Sequence, residues 1–369
     1  MWSLNRIAFA DMAGWAQDDH AAALATLARH CQKPVGETYR TGRLGIPPEP
    51  LMTLAAEAAE LGARDDPRGF FENRFAPVRL DNGTGEQGLV TGFYEPELSA
   101  SHRRTPSFAV PFLRRPPDLV PVDDSNRPPD FDPQMRFGRR GDDGVLTEFH
   151  DRAAIEAGAL DGQGLEIAFV AYPVDAFFVH IQGAARLTFS DGSTTRITYD
   201  GKTGHPFTAI GKLLVDRGEI PAASVSMQSI RAWLAAHPDQ ASGLMAENRS
   251  YIFFRETPAG EPGDGPVAAA KVPLTAGRSL AVDRLLHTFG TPVFVDADSV
   301  GDMPFRRLMI AQETGSAIVG AARGDIFFGT GSAAGEAVYA SPETIEAERG
   351  LLRRAYARQE EREFVPEEI

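Results

Sequence analysis

Between residues 251 and 331 this chain repeats one pattern: an apolar run of strand length, a glycine-, proline- or aspartate-bearing turn, and another short run. Residues 251–254, 268–272, 277–283, 293–296 and 305–311 follow one another in this way and lead into Ala311-Gln312-Glu313-Thr314-Gly315 and Arg323-Gly324-Asp325-Ile326-Phe327-Phe328-Gly329. A doubly wound sheet needs a helix after most strands, and these runs leave no room for one. Short strands closed by tight turns predict a strongly twisted barrel. The 36 glycines and 27 prolines among 369 residues fit many turns better than a helical bundle.

The two ends of the chain have different characters. Near the start, Asp18 is the expected cap of a helix with Leu24, Leu27, Ala28 and Cys31 on one face. A second helix is expected from Pro50 and a third after Asp66-Pro67. Residues 78–80 and 88–94 predict a hairpin across the turn formers Asp81-Asn82-Gly83-Thr84-Gly85. Residues 103–140, dense in Pro, Arg and Asp, predict a long ordered loop or an extended edge with little regular structure. Strands are expected at 166–170, 176–181, 183–189 and 194–198, then helices at 208–217 and from Ser226 to before Pro238. Residues 342–368 read as a charged helix on or beyond the surface.

Several function classes are excluded by composition. A formal charge of −14 supplies no basic stripe for a nucleic-acid partner. The single cysteine, Cys31, forms no internal disulfide and is expected as a small buried hydrophobe. No run approaches the ~20 apolar residues of a membrane span. Met1-Trp2-Ser3-Leu4-Asn5-Arg6 has no signal-peptide core, which leaves a cytoplasmic protein or a chain lacking its export signal. The eight histidines fall in no ligand spacing, so no metal is expected, and no nucleotide fingerprint or serine elbow occurs. No cofactor is expected.

Carboxylates beside glycine-rich aromatic strands remain: Asp175, Asp283, Asp296, Asp298, Glu313 and Asp325. Half burial would raise the pKa of Asp325, as a catalytic acid requires. The same local sequence also suits an ordinary turn aspartate, and on these residues alone both readings stay open.

The longer motifs bring a resemblance. Thr91-Gly92-Phe93-Tyr94-Glu95-Pro96-Glu97-Leu98, residues 173–183, Gly201-Lys202-Thr203-Gly204-His205-Pro206-Phe207, Ser226-Met227-Gln228, Gly277-Arg278-Ser279-Leu280-Ala281-Val282-Asp283 and residues 311–331 occur in that order. Together they resemble the membrane-bound lytic murein transglycosylase A family, over residues 1 to about 340. The resemblance implies a mainly β fold: a six-stranded double-psi β-barrel with short N-terminal helices, an inserted second β domain, and a groove between them for sugar strands. The barrel domain is then expected from 1–97 and 243–340, the insert from 98–242, and a charged extension from 341–369.

The implied reaction is water-free cleavage of the β-1,4 bond between N-acetylmuramic acid and N-acetylglucosamine in peptidoglycan, leaving 1,6-anhydromuramyl ends. Asp325 corresponds to the catalytic acid/base, and Thr91 to a residue near the cleavage point. Tyr94, Gln182, Lys202, Asp283 and Glu313 are carried as substrate-binding residues. The family has Asp at the position of Glu313, and Ser-Gly at that of Ala184-Ala185. Glycan strands are the expected partner, with cell-wall synthesis or outer-membrane proteins alongside. The periplasm at the outer membrane is the expected location. A noncatalytic peptidoglycan-binding protein and a hydrolytic glycosidase on the same fold stay open as alternatives.

Overall fold

The structure is a computed structural model that describes residues 3–335 apart from 35, 37, 62–65, 82–87, 124, 134, 262, 301–302, 316–317 and 332–333. The expected charged extension and most of the expected 81–85 turn lie outside the described residues. The chain divides into two compact units, Met1–Glu95 with Gly260–Ile369, and Pro96–Ala259.

The first unit opens with β1 (Ser3–Arg6), α1 (His20–Ala28), α2 (Pro48–Leu61), α3 (Pro67–Arg74), β2 (Val78–Asp81) and β3 (Leu89–Glu95). Asp19, not Asp18, caps α1, its carboxylate accepting from Ala22 N at 3.0 Å. Asp18 is occupied by Arg278 and by Leu308 N. Pro67 starts α3 behind Asp66, whose side chain accepts from Gly69 N. The buried faces of the three helices, including Leu24, Leu27, Ala55, Ala58 and Phe71, pack together with Leu308 and Ile310.

Two expectations fail here. Cys31 is exposed, because the single 3₁₀ turn Arg29–Gln32 points His30 inward in its place. β2 does not form a hairpin with β3. It pairs antiparallel with β1, and β3 pairs with a strand from the far end of the chain.

The second unit contains β4 (Glu97–Ser101), β5 (Val110–Leu113), β6 (Leu119–Pro121), β7 (Phe137–Arg140), β8 (Leu146–Thr147), α4 (Arg152–Glu156) and β9 (Glu166–Val170). It continues with α5 (Pro173–Gln182), β10 (Ala184–Phe189), β11 (Thr194–Lys202), α6 (Ile210–Asp216), α7 (Met227–Ala236), α8 (Pro238–Ala246) and β12 (Ile252–Thr257). Six strands form one sheet in the order β12-β11-β10-β4-β9-β5. The stretch 103–140, expected as a loop or an extended edge, carries β5 at the edge of this sheet, and also β6 and β7. Residues 176–181, expected as a strand, form most of α5: Pro173 fits its first turn and Gly183, at φ 82°, closes it in the left-handed conformation. α7 ends at Ala236, before Pro238 as expected, and Pro238 in turn starts a further helix, α8. The unit extends to Ala259 and not 242, because β12 completes its sheet by pairing with β11.

The chain then returns to the first unit with β13 (Asp264–Val267), β14 (Pro273–Thr275), β15 (Ser279–Val282), β16 (Pro292–Val300), β17 (Met303–Glu313) and β18 (Arg323–Thr330). The sheet order is β16-β17-β15-β18-β3. Among the described residues its ladders join five strands, a half-barrel sheet in the mainly β fold that was expected. The β13-β14 hairpin meets β18 through Leu274, which packs with Phe327, and just after β14 Gly277 N donates to Phe327 O at 2.7 Å. Leu280, Val282, Met309, Ala311 and Ile326 fill the core of this sheet, with Ala270 and Val272.

Candidate active site

β18 lies between β15 and β3, antiparallel to the first and parallel to the second. Their register sets Asp325 opposite Thr91 on one side and Ala281 on the other. Directly opposed residues on paired strands share a face, so two side chains 234 positions apart become neighbours. Thr91 Oγ1 donates to Asp325 Oδ1. Arg323, two residues before Asp325 and therefore on the same face of β18, donates from Nη2 to Thr91 Oγ1 at 2.7 Å. Its Nη1 donates to Gly324 O. Thr91 and Arg323 are buried, and Asp325 is half-buried.

Burial raises the Asp325 carboxyl above the ordinary aspartate range, while the Arg323 charge and the Thr91 hydrogen bond act in the opposite direction. The result is a carboxyl able to hold a proton and, once that proton is given up, to exist as a supported anion. An acid that must later act as a base needs both states.

The same transverse row continues from Ala281 to Glu313 on β17, two strand spacings or about 10 Å from Asp325 along the sheet. Burial pushes the Glu313 carboxyl up to about 7, against the pull of two backbone donors and Lys271. Those donors are Ala269 N at 3.0 Å and Thr314 N at 2.7 Å, one to each oxygen. Glu313 thus pins the turn before β14 to the end of β17. Asp283 is engaged in a similar way: Leu285 N donates to one oxygen at 3.0 Å and Gly320 N to the other at 2.8 Å. Its carboxylate holds the segment that enters β18. Tyr94 is half-buried on β3, with its ring against Gly335.

Gln182 and Lys202 belong to the second unit. Gln182 is the last residue of α5, and Lys202 the last of β11; both are half-buried. Burial lowers the Lys202 ammonium pKa. Near it along the chain, Tyr199 and Phe207 are exposed aromatics that sequence reasoning passed over. Of the other acidic candidates, Asp175 is paired with Arg231 at 2.7 Å and Asp296 with Arg306 at 2.8 Å. Among the described residues no cluster of His, Cys, Asp or Glu is arranged to hold a metal ion.

A buried polar seam supports Glu313 from behind. Gln312 accepts from Ser279 Oγ and points its amide at His30 Nε2, 3.2 Å away. The other His30 nitrogen meets Tyr39 Oη, which donates to Ala270 O at 2.7 Å. Burial lowers the His30 pKa to about 4, so the ring is neutral at pH 7. With Gln312 donating to Nε2, Nδ1 is the nitrogen that carries the proton.

The sequence and the fold both have counterparts among known proteins. Family models match at residues 89–255, the MltA specific insert domain, and at 278–341, the 3D domain. A solved membrane-bound lytic murein transglycosylase from Agrobacterium tumefaciens is 50% identical, with a TM-score of 0.81 over 91% of this chain and 94% of that one. The chain belongs to the membrane-bound lytic murein transglycosylase A family. Escherichia coli MltA, solved with bound chitohexaose, is 25% identical with a TM-score of 0.66, over 92% of this chain and 90% of that one. The curated Escherichia coli membrane-bound lytic murein transglycosylase A is 33% identical over 254 residues, 66% of this chain. The match spans 60% of that relative's length. The 3D-domain match covers β15 to β18 and with them Asp283, Glu313 and Asp325, whereas Thr91 falls inside the insert-domain match. The family's two sequence segments therefore meet at the Thr91–Asp325 hydrogen bond.

Proposed function

We propose that this protein is a peptidoglycan lytic transglycosylase with Asp325 as its single acid and base. The observation that carries the reading is the Asp325 carboxyl itself: half-buried, raised in pKa, and held on one oxygen by Thr91. The Asp325 proton passes to the glycosidic oxygen as the C1–O bond breaks. The resulting carboxylate takes the proton of the muramyl C6 hydroxyl while O6 bonds to C1, closing the 1,6-anhydro ring and regenerating the acid. The nucleophile is tethered to the sugar it attacks, so no activated water is required.

A hydrolase on this scaffold would need a second carboxylate to position water. Glu313 stands in the right row, but both its oxygens are taken by backbone donors. That favours the anhydro reaction over hydrolysis. Tyr94, Gln182 and Lys202 are proposed to contact the glycan directly; Asp283 and Glu313 act on it through the segments they hold. Glycan strands of the cell wall place the activity in the periplasm, and the named relatives are membrane-bound. Among the described residues no helix is long and apolar enough to cross a membrane.

Digestion of purified sacculi followed by mass analysis tests the reading. The expected products are anhydromuropeptides, lost on Asp325→Asn. Products heavier by one water would establish hydrolysis instead, and sedimentation with sacculi without any product would establish a noncatalytic binder.

A further inference from the structure

Thr91 has one hydroxyl proton, and its oxygen is already an acceptor. Arg323 Nη2 has only protons to give, so it donates to Thr91 Oγ1. The Thr91 proton is thereby turned away from the guanidinium and toward Asp325 Oδ1, the acceptor seen on its other side. Without Arg323 a threonine hydroxyl rotates freely among staggered positions and both donates and accepts. With it, the hydroxyl beside the acid is a donor in a fixed direction. A fixed donor marks the oxygen it faces: Oδ1 stays an acceptor, so the proton of the neutral acid resides on Oδ2.

Taking Asp325 to be the acid/base, we infer that Arg323 is a positioning residue that acts through the Thr91 hydroxyl and commits Asp325 Oδ2 to the transferring proton. The arrangement also serves the second half of the reaction. When Oδ2 has released its proton, the Thr91 donor and the buried guanidinium behind it stabilise the anion, and they keep Oδ2 as the oxygen that takes the C6 hydroxyl proton. One oxygen then gives and receives, and the carboxyl does not turn over between steps.

Among the described residues, the strand register sets three residues beside Asp325. On β3 there is Thr91, on β18 itself Arg323, and on β15 the uncharged Ala281. Beyond Ala281, Glu313 and Asp283 are both held by backbone N–H groups. The relay is therefore the polar support that the neighbouring strands give to this acid. Residue type matters at each place: serine in place of Thr91 keeps the hydroxyl, valine keeps only the shape, and lysine in place of Arg323 keeps charge without the planar fork.

The test is a set of variants, Thr91→Val, Thr91→Ser, Arg323→Met, Arg323→Lys and the double Thr91→Val/Arg323→Met, each checked for a native thermal transition. Two readouts are taken. For turnover of sacculi, Thr91→Val and Arg323→Met are each expected to lose on the order of 100-fold. Both should move the alkaline limb of the pH profile to higher pH, because each removes an influence that lowers the Asp325 pKa. Thr91→Ser and Arg323→Lys should recover much of the loss. In the double variant the rate losses should not multiply, since Arg323 works through Thr91. Fully multiplicative losses, or loss of rate with an unmoved pH profile, would overturn the relay.

The second readout needs no turnover. The ¹³C carboxyl titration of Asp325, assigned by its absence in Asp325→Asn, should shift upward in Thr91→Val and in Arg323→Met. An unmoved titration in both would overturn the inference even if the enzyme cuts murein. A shifted titration in a protein that releases no anhydro product would support the relay and reject the proposed activity. Thr91→Val keeps the side-chain volume of threonine, so the question remains answerable if Arg323→Met fails to fold.

Discussion

Half-buried Glu313 and buried His30 carry opposite pH dependences. Glu313, raised from 4.5 to about 7, keeps a proton in the folded state that the unfolded chain gives up. Between those values the folded state binds more protons, so stability falls as pH rises and levels off above about 7. Glu313→Gln is expected to abolish that decline, read as the urea midpoint at pH 5 and at pH 8; an equal decline in both proteins would contradict it. His30 runs the other way. Lowered from 6.5 to about 4, it contributes stability that is complete above 6.5 and is lost as pH falls toward 4, on the order of 3 kcal/mol. In Glu313→Gln this acid loss should stand uncovered as a drop in urea midpoint between pH 7 and pH 4.5. The motif around Asp325 was legible in the sequence, and the family resemblance set Thr91 near it, but the Arg323 contact to Thr91 was not legible. Arg323 stands two residues earlier, at the spacing that puts side chains on one face of a strand. That periodicity was the available signal, and it says nothing of Thr91 until the pairing of β3 with β18 is known.

At the level of elements, the Gly277–Asp283 motif contributes as much to assembly as to chemistry. Arg278 forms a two-pronged ion pair with Asp18, at 3.0 and 2.9 Å, and also donates to Leu308 O. Asp18 in turn accepts from Leu308 N. The pair fastens the residue before the α1 cap to β17, with Asp18 3% and Arg278 8% exposed. Removing one partner leaves a buried charge uncompensated, so Asp18→Asn is expected to cost about 3–5 kcal/mol in urea unfolding. A loss below about 1 kcal/mol would show the pair to be dispensable. The sequence put the cap at Asp18; a long-range arginine occupies that carboxylate and leaves the cap to Asp19, and local pattern has no access to that. Likewise Phe177-Phe178-Val179 has strand-like composition, yet Pro173 and Gly183 bracket a helix. Terminal signals outweighed composition. Glycine-punctuated strands such as β15 and β18 were legible because each is short and its turns are explicit.

Across the whole molecule, each unit has apolar clusters made from its own residues. Phe112, Val179, Leu187, Ile197 and Phe254 belong to one in the second unit, and Leu119, Phe149, Leu160 and Phe253 to another. A fragment of residues 96–259 is therefore expected to unfold cooperatively on its own, with a sigmoidal urea transition; a featureless slope would mean that its core depends on the rest of the chain. The first unit has no such continuity. Its β3 is made before the second unit, and its partner β18 more than two hundred residues later. During synthesis the inserted unit can fold as soon as it is complete, while β3 waits. Thr91 meets its acid only when nearly all of the described chain exists. If Asp325 is the acid of the proposed reaction, the enzyme is chemically silent through its manufacture: any product arrested before residue 325 lacks that carboxyl, and an unpaired β18 carries it without the Thr91 hydroxyl.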